Sequence, residues 1–286
     1  MIENIDVLLI DGNNLLHRSY HGMKKSDLRT NEGDPIWAVH GFFISLSKLM
    51  SKFKPRAILI CFDSEGSNDI RREIQDTYKQ NRVKRSDEIN LQFVHLFYIL
   101  NNIGFTICKI SDREADDILA SLAKYFKNLN KTVGIYSTDR DLYQVIDKNI
   151  FVINNKYDVI DSEKIYDTYG LSPQQYFEMA AIRGESGDNI KGIKGIGERG
   201  ALKLLTEYGS INNIIQNNIK NKYTEKIFEN IELLYSNLKI AKLYDNIPVA
   251  GYVKHAELNH NNYNYEILKK YGLNKAYNEL NSIKKK

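Results

Sequence analysis

The chain has 286 residues and a formal net charge of +4, with 42% hydrophobic and 27% charged residues. This composition is typical of a folded protein with two ordinary domains, or one domain with a large appendage, and argues against a disordered chain. A membrane-spanning helix, and with it a membrane partner, is not expected, because no run of about 18 apolar residues occurs. The N-terminal run indicates a strand rather than a signal peptide. Two cysteines in apolar runs, Cys61 and Cys108, are predicted to be buried thiols of a cytoplasmic protein.

Strands and helices alternate through the first half of the chain. Four short runs of β-branched and apolar residues are typical of buried strands. They cover residues 7–11, 57–63, 104–110 and 132–139. Three stretches between these runs have helical periodicity, and they cover residues 35–53, 91–103 and 115–129. Strands that are apolar on both faces and alternate with helices predict an α/β fold, with a central, mostly parallel sheet flanked by helices.

The pattern becomes helical in the second half. A helix opened by proline is predicted at SPQQYFEMAAIRG, and a segment rich in glycine and lysine follows it. The remainder has helical spacing and many Asn, Lys and Tyr residues. We therefore expect an α/β domain over residues 1–173 and a helical domain over residues 174–286.

Carboxylates collect where the predicted strands end. Asp11, Asp63 and Asp139 end their strands, and the third strand leads into READD, residues 113–117. Since the carboxyl ends of parallel strands meet at one sheet edge, these groups are expected to lie together. Nine residues are assigned to this metal-binding cluster, and two of them come from the later GESGDN motif. They are Asp11, Asp63, Glu114, Asp116, Asp117, Asp139, Asp141, Glu185 and Asp188.

So many carboxylates in one cleft need cations to neutralise them. Hard oxygen ligands without paired cysteines select Mg²⁺, and Mn²⁺ is expected to substitute. The number of carboxylates suits two ions, which can clamp the attacking and leaving oxygens of a phosphodiester hydrolysis. Setting the nine aside leaves 27 acidic against 40 basic residues, a surface that favours a nucleic-acid backbone.

Two basic segments are candidates for nucleic-acid contacts. In DIRREIQDTYKQNRVKR, residues 69–85, Arg71 is expected to contact nucleic acid, Tyr78 to stack on a base, and Lys79 to act on the scissile phosphate. In GIKGIGERGALKLL, residues 192–205, glycines between two helices predict a helix–hairpin–helix over about 189–208 that binds duplex backbone. The residues assigned to this contact are Lys191, Gly192, Lys194, Gly195, Gly197, Arg199 and Lys203. On charge alone, the first segment also fits a solvated helix face.

These motifs together resemble the 5′-nuclease (flap endonuclease) superfamily, in particular the 5′–3′ exonuclease domain of bacterial DNA polymerase I and the free-standing phage-type flap endonucleases. The resemblance covers about residues 5–210. The matching segments are IDGNNLLHRSYHG, NEGDPIWAVHGF, CFDSEG, RREIQDTYKQNR, READDILA, STDRDL and GESGDNIKGIKGIGERGA.

The resemblance implies a structure-specific 5′-nuclease that acts on branched or nicked DNA with a 5′ flap or 5′ end, in DNA replication and repair. It implies a helical arch at about 66–90, with Lys79 and Arg82 as catalytic residues facing the scissile phosphate, and a K⁺ ion at the helix–hairpin–helix. One metal ion would belong to the first five carboxylates named above, and the other to Asp139, Asp141 and Asp188. We expect a monomeric, free-standing enzyme.

The chain departs from the family pattern at one position, because Glu185 stands where the family usually has Asp. Glu is one methylene longer, and Mg²⁺ tolerates little distortion of its ligands. We therefore expect Glu185 to act through a metal-bound water and Asp188 to be the nearer ligand.

Two other readings stay open at this point. A PIN-type ribonuclease shares the acidic sheet edge but usually lacks the arch and the GIKGIGERG segment. A DNA-binding relative without catalysis would be marked by the loss of acidic residues of the second metal, yet Asp139, Asp141 and Asp188 are all present.

Overall fold

A six-stranded sheet forms the centre of the protein, which is described by a computed structural model over residues 4–253 and 263–284. Its strands are β1 (Val7–Asp11), β2 (Ala57–Cys61), β3 (Thr106–Cys108), β4 (Val133–Tyr136), β5 (Ile150–Ile153) and β6 (Val159–Ile160). The spatial order is β3-β2-β1-β4-β5-β6, and every neighbouring pair is parallel except β5 and β6. The predicted α/β class with a mostly parallel sheet is confirmed. The sequence patterns indicate four of these strands and miss β5 and β6.

Helices cover both faces of the sheet. They are α1 (Gly12–Met23), α2 (Trp37–Phe53), α3 (Asp69–Ile74), α4 (Asp87–Ile103), α5 (Ala115–Asn128) and α6 (Ser162–Tyr169). Side chains alternate along β1, so that Leu8 and Ile10 pack with α1, α2 and α4, whereas Val7 and Leu9 pack with α5. This alternation puts an apolar core on each face. Among the described residues, no helix is both long enough and apolar enough to cross a membrane.

A second group of helices follows the sheet. It contains α7 (Pro173–Arg183), β7 (Gly184–Glu185), β8 (Ile190–Lys191), α8 (Glu198–Tyr208), α9 (Ile211–Gln216), α10 (Lys222–Glu229) and α11 (Ile231–Ala241). β7 and β8 form a small antiparallel hairpin. Met179, Leu204 and Leu234 lie in a separate core, so this group is a helical unit of its own, as the sequence predicts.

The chain then returns to the first unit. Three further helices follow: α12 (Ala250–Val253), α13 (Glu266–Lys270) and α14 (Asn274–Lys284). Leu268 and Leu280 join the core that α2 and α4 cover, and Leu243 joins the core of α5. Packing therefore separates residues 263–284 from the helical unit, in contrast to the expected extent of the second domain. Residues 254–262 and 285–286 of that expected domain lie outside the described residues.

The expected helical arch is only partly helical. Within residues 66–90, α3 ends at Ile74 and α4 begins at Asp87, and turns and extended backbone lie between them. The backbone of Lys79 is left-handed, with a φ of 53°, and its N–H donates to the carbonyl of Asp188 at 3.0 Å. Long-range contacts with residues 184–190 thus replace helical hydrogen bonds in this stretch, which we call the basic segment (residues 75–86).

Candidate active site

The predicted carboxylates lie where the strand order of the sheet reverses. β1 lies between β2 and β4, and the chain runs to opposite sides from this point, which opens a crevice at the carboxyl edge. Asp11 ends β1, Asp63 follows β2, and Asp139 follows β4. A cleft of about 970 Å³ opens beside them, with Asp139 and Asp188 in its lining.

Two of these carboxylates are fixed by local hydrogen bonds. Asp11 caps α1 by accepting from the N–H of Asn14 at 2.9 Å, and its other oxygen accepts from the hydroxyl of Ser137 at 2.8 Å. Asp63 accepts from the side-chain amide of Asn13 at 2.7 Å and from the N–H of Ala115 at 2.8 Å. These hydrogen bonds orient both side chains.

The sequence alone does not single out Asn13 and Ser137, although both act on the site. The only signal is their position, since Asn13 lies two residues after Asp11 and Ser137 lies two residues before Asp139. Ser137 also accepts from the N–H of Asp139 at 3.0 Å. Its hydroxyl thus joins the strand ends of β1 and β4.

Where β1 and β4 end, burial and mutual repulsion disfavour the ionised form of the carboxylates. Burial raises the pKa of Asp11 to about 7, and the charges of Asp63 and Asp139 add to this effect. Burial also raises the pKa of Asp116 well above its ordinary value, and the negative charges of Asp139 and Asp11 raise it further. These groups are close enough to repel one another.

The same holds for the carboxylates at the other side of the cleft. Burial raises the pKa of Asp141 to about 8, and the charges of Asp139, Asp188 and Glu185 contribute. Asp139 in turn accepts from the N–H of Asp141 at 2.9 Å. A half-buried set of mutually repelling oxygen donors fits divalent cations, which would stabilise the ionised forms.

Basic side chains lie among these carboxylates. The ammonium of Lys79 is 2.6 Å from Glu114 and 3.8 Å from Asp188, and Arg82 pairs with Asp188. Burial acts to lower the pKa of Lys79, but the charges of Glu114 and Asp188 outweigh it and raise the pKa. Within residues 4–253 and 263–284, no three His, Cys, Asp or Glu side chains are already grouped as a metal site. Through Lys79 and Arg82, the basic segment neutralises part of the acidic cluster.

Asp117 and Arg71 have other partners than expected. The guanidinium of Arg71 donates to both oxygens of Asp117, at 2.7 and 2.8 Å, and the N–H of Tyr244 occupies Asp117 as well. Adjacent residues of a helix point about 100° apart, so Asp117 turns away from the cleft that Asp116 faces. The prediction of Asp117 as a metal ligand is wrong in this structure. The prediction that Arg71 contacts nucleic acid is also wrong, because Arg71 is only 2% exposed.

Tyr78 is not available for base stacking. Its side chain is 3% exposed, and its hydroxyl lies 3.3 Å from Glu114 and 3.5 Å from Asp188. The ammonium of Lys79 lies 4.9 Å from the centre of its ring. The ring of Tyr78 therefore packs against the ammonium of Lys79, and the expected stacking of Tyr78 on DNA is wrong.

Glu185 takes part in a separate ion pair. Its carboxylate pairs with Arg183, which also lies 3.0 Å from Glu198. The Glu185 side chain is 39% exposed, whereas that of Asp188 is 13% exposed. Arg183 is a further residue of the cleft that the sequence motifs do not single out.

The predicted hairpin joins β8 to α8. Its four cations are exposed, and they are Lys191, Lys194, Arg199 and Lys203. Gly195 adopts a left-handed φ of 80°, and Gly197 is the N-cap of α8 with open space around it. A Cβ on Gly192 would lie 2.0 Å from the carbonyl oxygen of Arg183, so this glycine serves packing against α7. The expected phosphate contact of Gly192 is therefore not supported.

An acidic cleft at the carboxyl edge of a parallel sheet, with an exposed basic hairpin beside it, is the arrangement expected of a nuclease. Comparison with known families agrees. The family model described as the 5′–3′ exonuclease N-terminal resolvase-like domain matches residues 6–170, and that of the 5′–3′ exonuclease C-terminal SAM fold matches residues 171–264. The chain belongs to the 5′–3′ exonuclease family, which confirms the predicted 5′-nuclease class.

Individual relatives match most of this chain but differ in their own length. The 5′–3′ exonuclease of Aquifex aeolicus is 32% identical over 244 residues, which is 84% of this chain and 82% of the relative. The thermostable DNA polymerase I of Thermus thermophilus is 34% identical over 246 residues, and the match covers 85% of this chain but 29% of the polymerase. The chain thus spans less than a third of the polymerase relatives that it matches.

The fold is also that of a solved flap endonuclease. The enzyme of bacteriophage T5, in a pseudo-enzyme–product complex with DNA and metal ions, matches with a TM-score of 0.68 at 21% identity. The match covers 98% of this chain and 100% of that one.

Proposed function

We propose that this protein is a structure-specific 5′-nuclease that hydrolyses phosphodiester bonds at 5′ flaps and 5′ ends of DNA. The observation that carries the proposal is the meeting of carboxylates from three strand ends beside an exposed basic hairpin. Family membership supports it, as does the fold shared with a flap endonuclease that binds DNA and metal ions. A monomer acting in DNA replication and repair fits this activity.

The carboxylates would hold two divalent ions, with Mg²⁺ preferred and Mn²⁺ able to replace it. We assign Asp11, Asp63 and Asp116 to one ion, with Glu114 beside them. The other ion would be held by Asp139, Asp141 and Asp188, with Glu185 acting through water. The bound ions would activate the attacking water and stabilise the charge that develops on the scissile phosphate. Ser137 and Asn13 keep the strand-end carboxylates oriented.

Lys79 and Arg82 have a second role in this proposal. They neutralise Glu114 and Asp188 while the cleft is free of phosphate, and they donate to the scissile phosphate when DNA is bound. Charge-assisted hydrogen bonds to a phosphate that gains charge in the transition state favour hydrolysis. The side chain of Lys79 is 10% exposed and that of Arg82 is 53% exposed. Water therefore screens the charge of Lys79 less, and we assign the larger role to Lys79.

The hairpin would bind the duplex next to the cleft. Lys191, Lys194, Arg199 and Lys203 are exposed, and the N-terminus of α8 at Gly197 favours an anion. These contacts reach the backbone and not the bases, so the site of cleavage would be chosen by DNA structure. We also propose K⁺ at the hairpin. The carbonyl of Gly195 already accepts from the ammonium of Lys226 at 3.3 Å, which indicates a position that favours a cation.

Cleavage assays on purified protein test this function. The substrates are a 5′-flap duplex, a nicked duplex and RNA of the same sequence, each with Mg²⁺, Mn²⁺ or EDTA. We expect cleavage of the two DNA substrates with either metal, products with 5′-phosphate, and recovery when Mg²⁺ is added back after EDTA. Undiminished cleavage in excess EDTA would contradict the metal mechanism. A preference for RNA would favour the ribonuclease alternative, and DNA binding without cleavage would favour a non-catalytic protein.

A further inference from the structure

Arg71, which the proposed mechanism does not use, forms a buried network with Glu114 and Asp117. Its guanidinium donates to one oxygen of Glu114 at 2.7 Å and to both oxygens of Asp117. The other oxygen of Glu114 accepts from the ammonium of Lys79 at 2.6 Å. The planar guanidinium therefore fixes the rotation of the Glu114 carboxylate and decides which oxygen faces the cleft.

The same guanidinium binds the segment that leaves the helical unit. Its Nε donates to the carbonyl of Ile240, in the last turn of α11, at 3.0 Å, and its Nη2 lies 3.5 Å from the carbonyl of Lys242. The ring of Tyr244 lies 5.3 Å below the guanidinium, and the N–H of Tyr244 donates to Asp117 at 2.9 Å. Arg71 thus joins α3, α5 and residues 240–244 in one network.

The helix α11 carries this network to the hairpin. Asn237, which is fully buried, lies one turn before Ile240 and donates to the carbonyls of Ala181 at 2.9 Å and Lys191 at 2.8 Å. Lys191 is the first of the exposed hairpin cations. A continuous chain of hydrogen bonds and one helical turn therefore connects the duplex-binding hairpin with Glu114.

We infer that Arg71 is a positioning residue that orients Glu114 for metal binding and couples this orientation to the docking of α11 and the hairpin. Arg71 touches neither substrate nor metal. Without it, the buried Glu114 keeps only Lys79 as a charged partner and is repelled by Asp117. The inference rests on the proposed function, since it takes Glu114 to be part of the metal site.

The test compares Mn²⁺ binding in wild-type protein and in Arg71→Lys. Lysine keeps the charge, but its ammonium cannot serve two carboxylates and a carbonyl in one plane. Isothermal titration calorimetry measures Mn²⁺ affinity without DNA and with a closed dumbbell duplex, which has no 5′ end to cleave. In the wild type, we expect the duplex to increase Mn²⁺ affinity. In Arg71→Lys, we expect Mn²⁺ to bind about 10–100-fold more weakly and the duplex to add nothing.

Kinetics gives a second readout. In single-turnover flap cleavage, Arg71→Lys should need more Mg²⁺ to reach half of its maximal rate, whereas its affinity for flap DNA measured without metal should stay near the wild-type value, because the coupling is reciprocal and acts only when metal is bound. A purely structural role would lower the melting temperature without this shift in the Mg²⁺ requirement.

Ser121→Ala is the matched control. Ser121 lies on α5, donates to the carbonyl of Tyr244 at 3.1 Å and accepts from the N–H of Ile247 at 3.1 Å, so it holds the same segment without touching Glu114. We expect a lower melting temperature with unchanged Mn²⁺ affinity and unchanged coupling to the duplex.

The outcomes separate the inference from the proposed function. Wild-type Mn²⁺ affinity and duplex coupling in Arg71→Lys would overturn the inference while leaving a metal-dependent nuclease intact. Absence of Mn²⁺ binding by the wild type would overturn the proposed function itself. If Arg71→Lys does not fold, Asp117→Asn weakens the same network with little change in volume, and the same two criteria apply to it.

Discussion

The sheet edge and the loop of residues 184–189 supply carboxylates to one cleft but hold them differently. Asp11 and Asp63, at the sheet edge, accept from backbone N–H groups and neutral side chains. Asp188, in the loop, pairs with Arg82, and Glu185 pairs with Arg183. The strand ends are thus fixed by the fold, whereas the loop carboxylates are balanced by charged side chains. In the proposed function, a metal ion would find oxygens already oriented at the sheet edge and would have to compete with Arg82 and Arg183 at the loop.

The largest expected effect is at the sheet edge. Asp139→Asn keeps the acceptor for the N–H of Asp141 but removes one charge from the metal site. Loss of metal stabilisation worth several kcal/mol should reduce single-turnover flap cleavage on the order of 10³-fold or more. The metal-free variant should melt at a higher temperature than the wild type, because Asp11 and Asp116 lose a repelling neighbour.

Asp161→Asn is the control for this change. Asp161 caps α6 by accepting from the N–H of Lys164 at 2.9 Å and lies outside the cleft. Asn is an equally good cap, so activity and stability should stay near the wild-type values. A metal-free Asp139→Asn protein that melts below the wild type would speak against charge repulsion at the sheet edge.

The next effect concerns the cation at the loop side. Lys79→Ala should reduce the single-turnover rate by about 10²–10³-fold, the cost of removing one transition-state donor, with a smaller effect on DNA affinity. It should also strengthen Mn²⁺ binding without DNA, because Glu114 and Asp188 lose a competing ammonium. Lys84→Ala, an exposed change in the same segment, is the control. If DNA binding collapses while the bound rate survives, Lys79 is a docking residue.

The hairpin should affect affinity and not chemistry. Replacing Lys191, Lys194 and Lys203 together by Ala should weaken duplex binding whatever the sequence. For every phosphate that the variant no longer neutralises, the slope of log K against log[salt] should flatten by about 0.9. The matched control removes three exposed cations near the opposite, amino edge of the sheet: Arg56, Lys131 and Lys148. An unchanged slope in the hairpin variant would remove the hairpin from the DNA interface.

Glu185 offers a smaller test of the loop side. Because its carboxylate pairs with Arg183 and is more exposed than Asp188, Glu185→Gln should lower flap cleavage by roughly tenfold, the lower end for a group that acts through a ligand. Glu198→Gln, which removes the other partner of Arg183, is the control and should be nearly silent. A Mg²⁺ titration beside Asp188→Asn decides between the two roles. Equal loss of activity in Glu185→Gln and Asp188→Asn would make Glu185 a direct ligand.

The last test concerns the dependence of folding stability on pH. Folding raises the pKa of Asp11 to about 7 and that of Asp141 to about 8, so the folded metal-free protein binds more protons than the unfolded chain above about pH 4. Stability should therefore fall as pH rises from about 4 to about 8, and the melting temperature should fall with it. Saturating Mg²⁺ should flatten this dependence. Metal-free stability that rises over this range would contradict the raised pKa values.

The sequence by itself determined the strand ends and the residues that follow them. Apolar runs of β1, β2 and β4 and the helical spacing of α2, α4 and α5 are local patterns, and parallel strands bring their carboxyl ends to one edge. The positions of Asp11, Asp63 and Asp139 follow from these two facts. The glycine-rich hairpin before α8 is likewise a local signal.

Only the tertiary structure decided the partners of charged and aromatic side chains away from the strand ends. Arg71, Tyr78 and Asp117 belong to acidic or basic motifs in the sequence, yet contacts with residues 188 and 240–244 bury them. The strands β5 and β6 and the return of residues 263–284 to the α/β core also depend on non-local packing. Local periodicity and charge do not determine which distant residue contacts a given side chain, because those contacts are set by how the two units pack together.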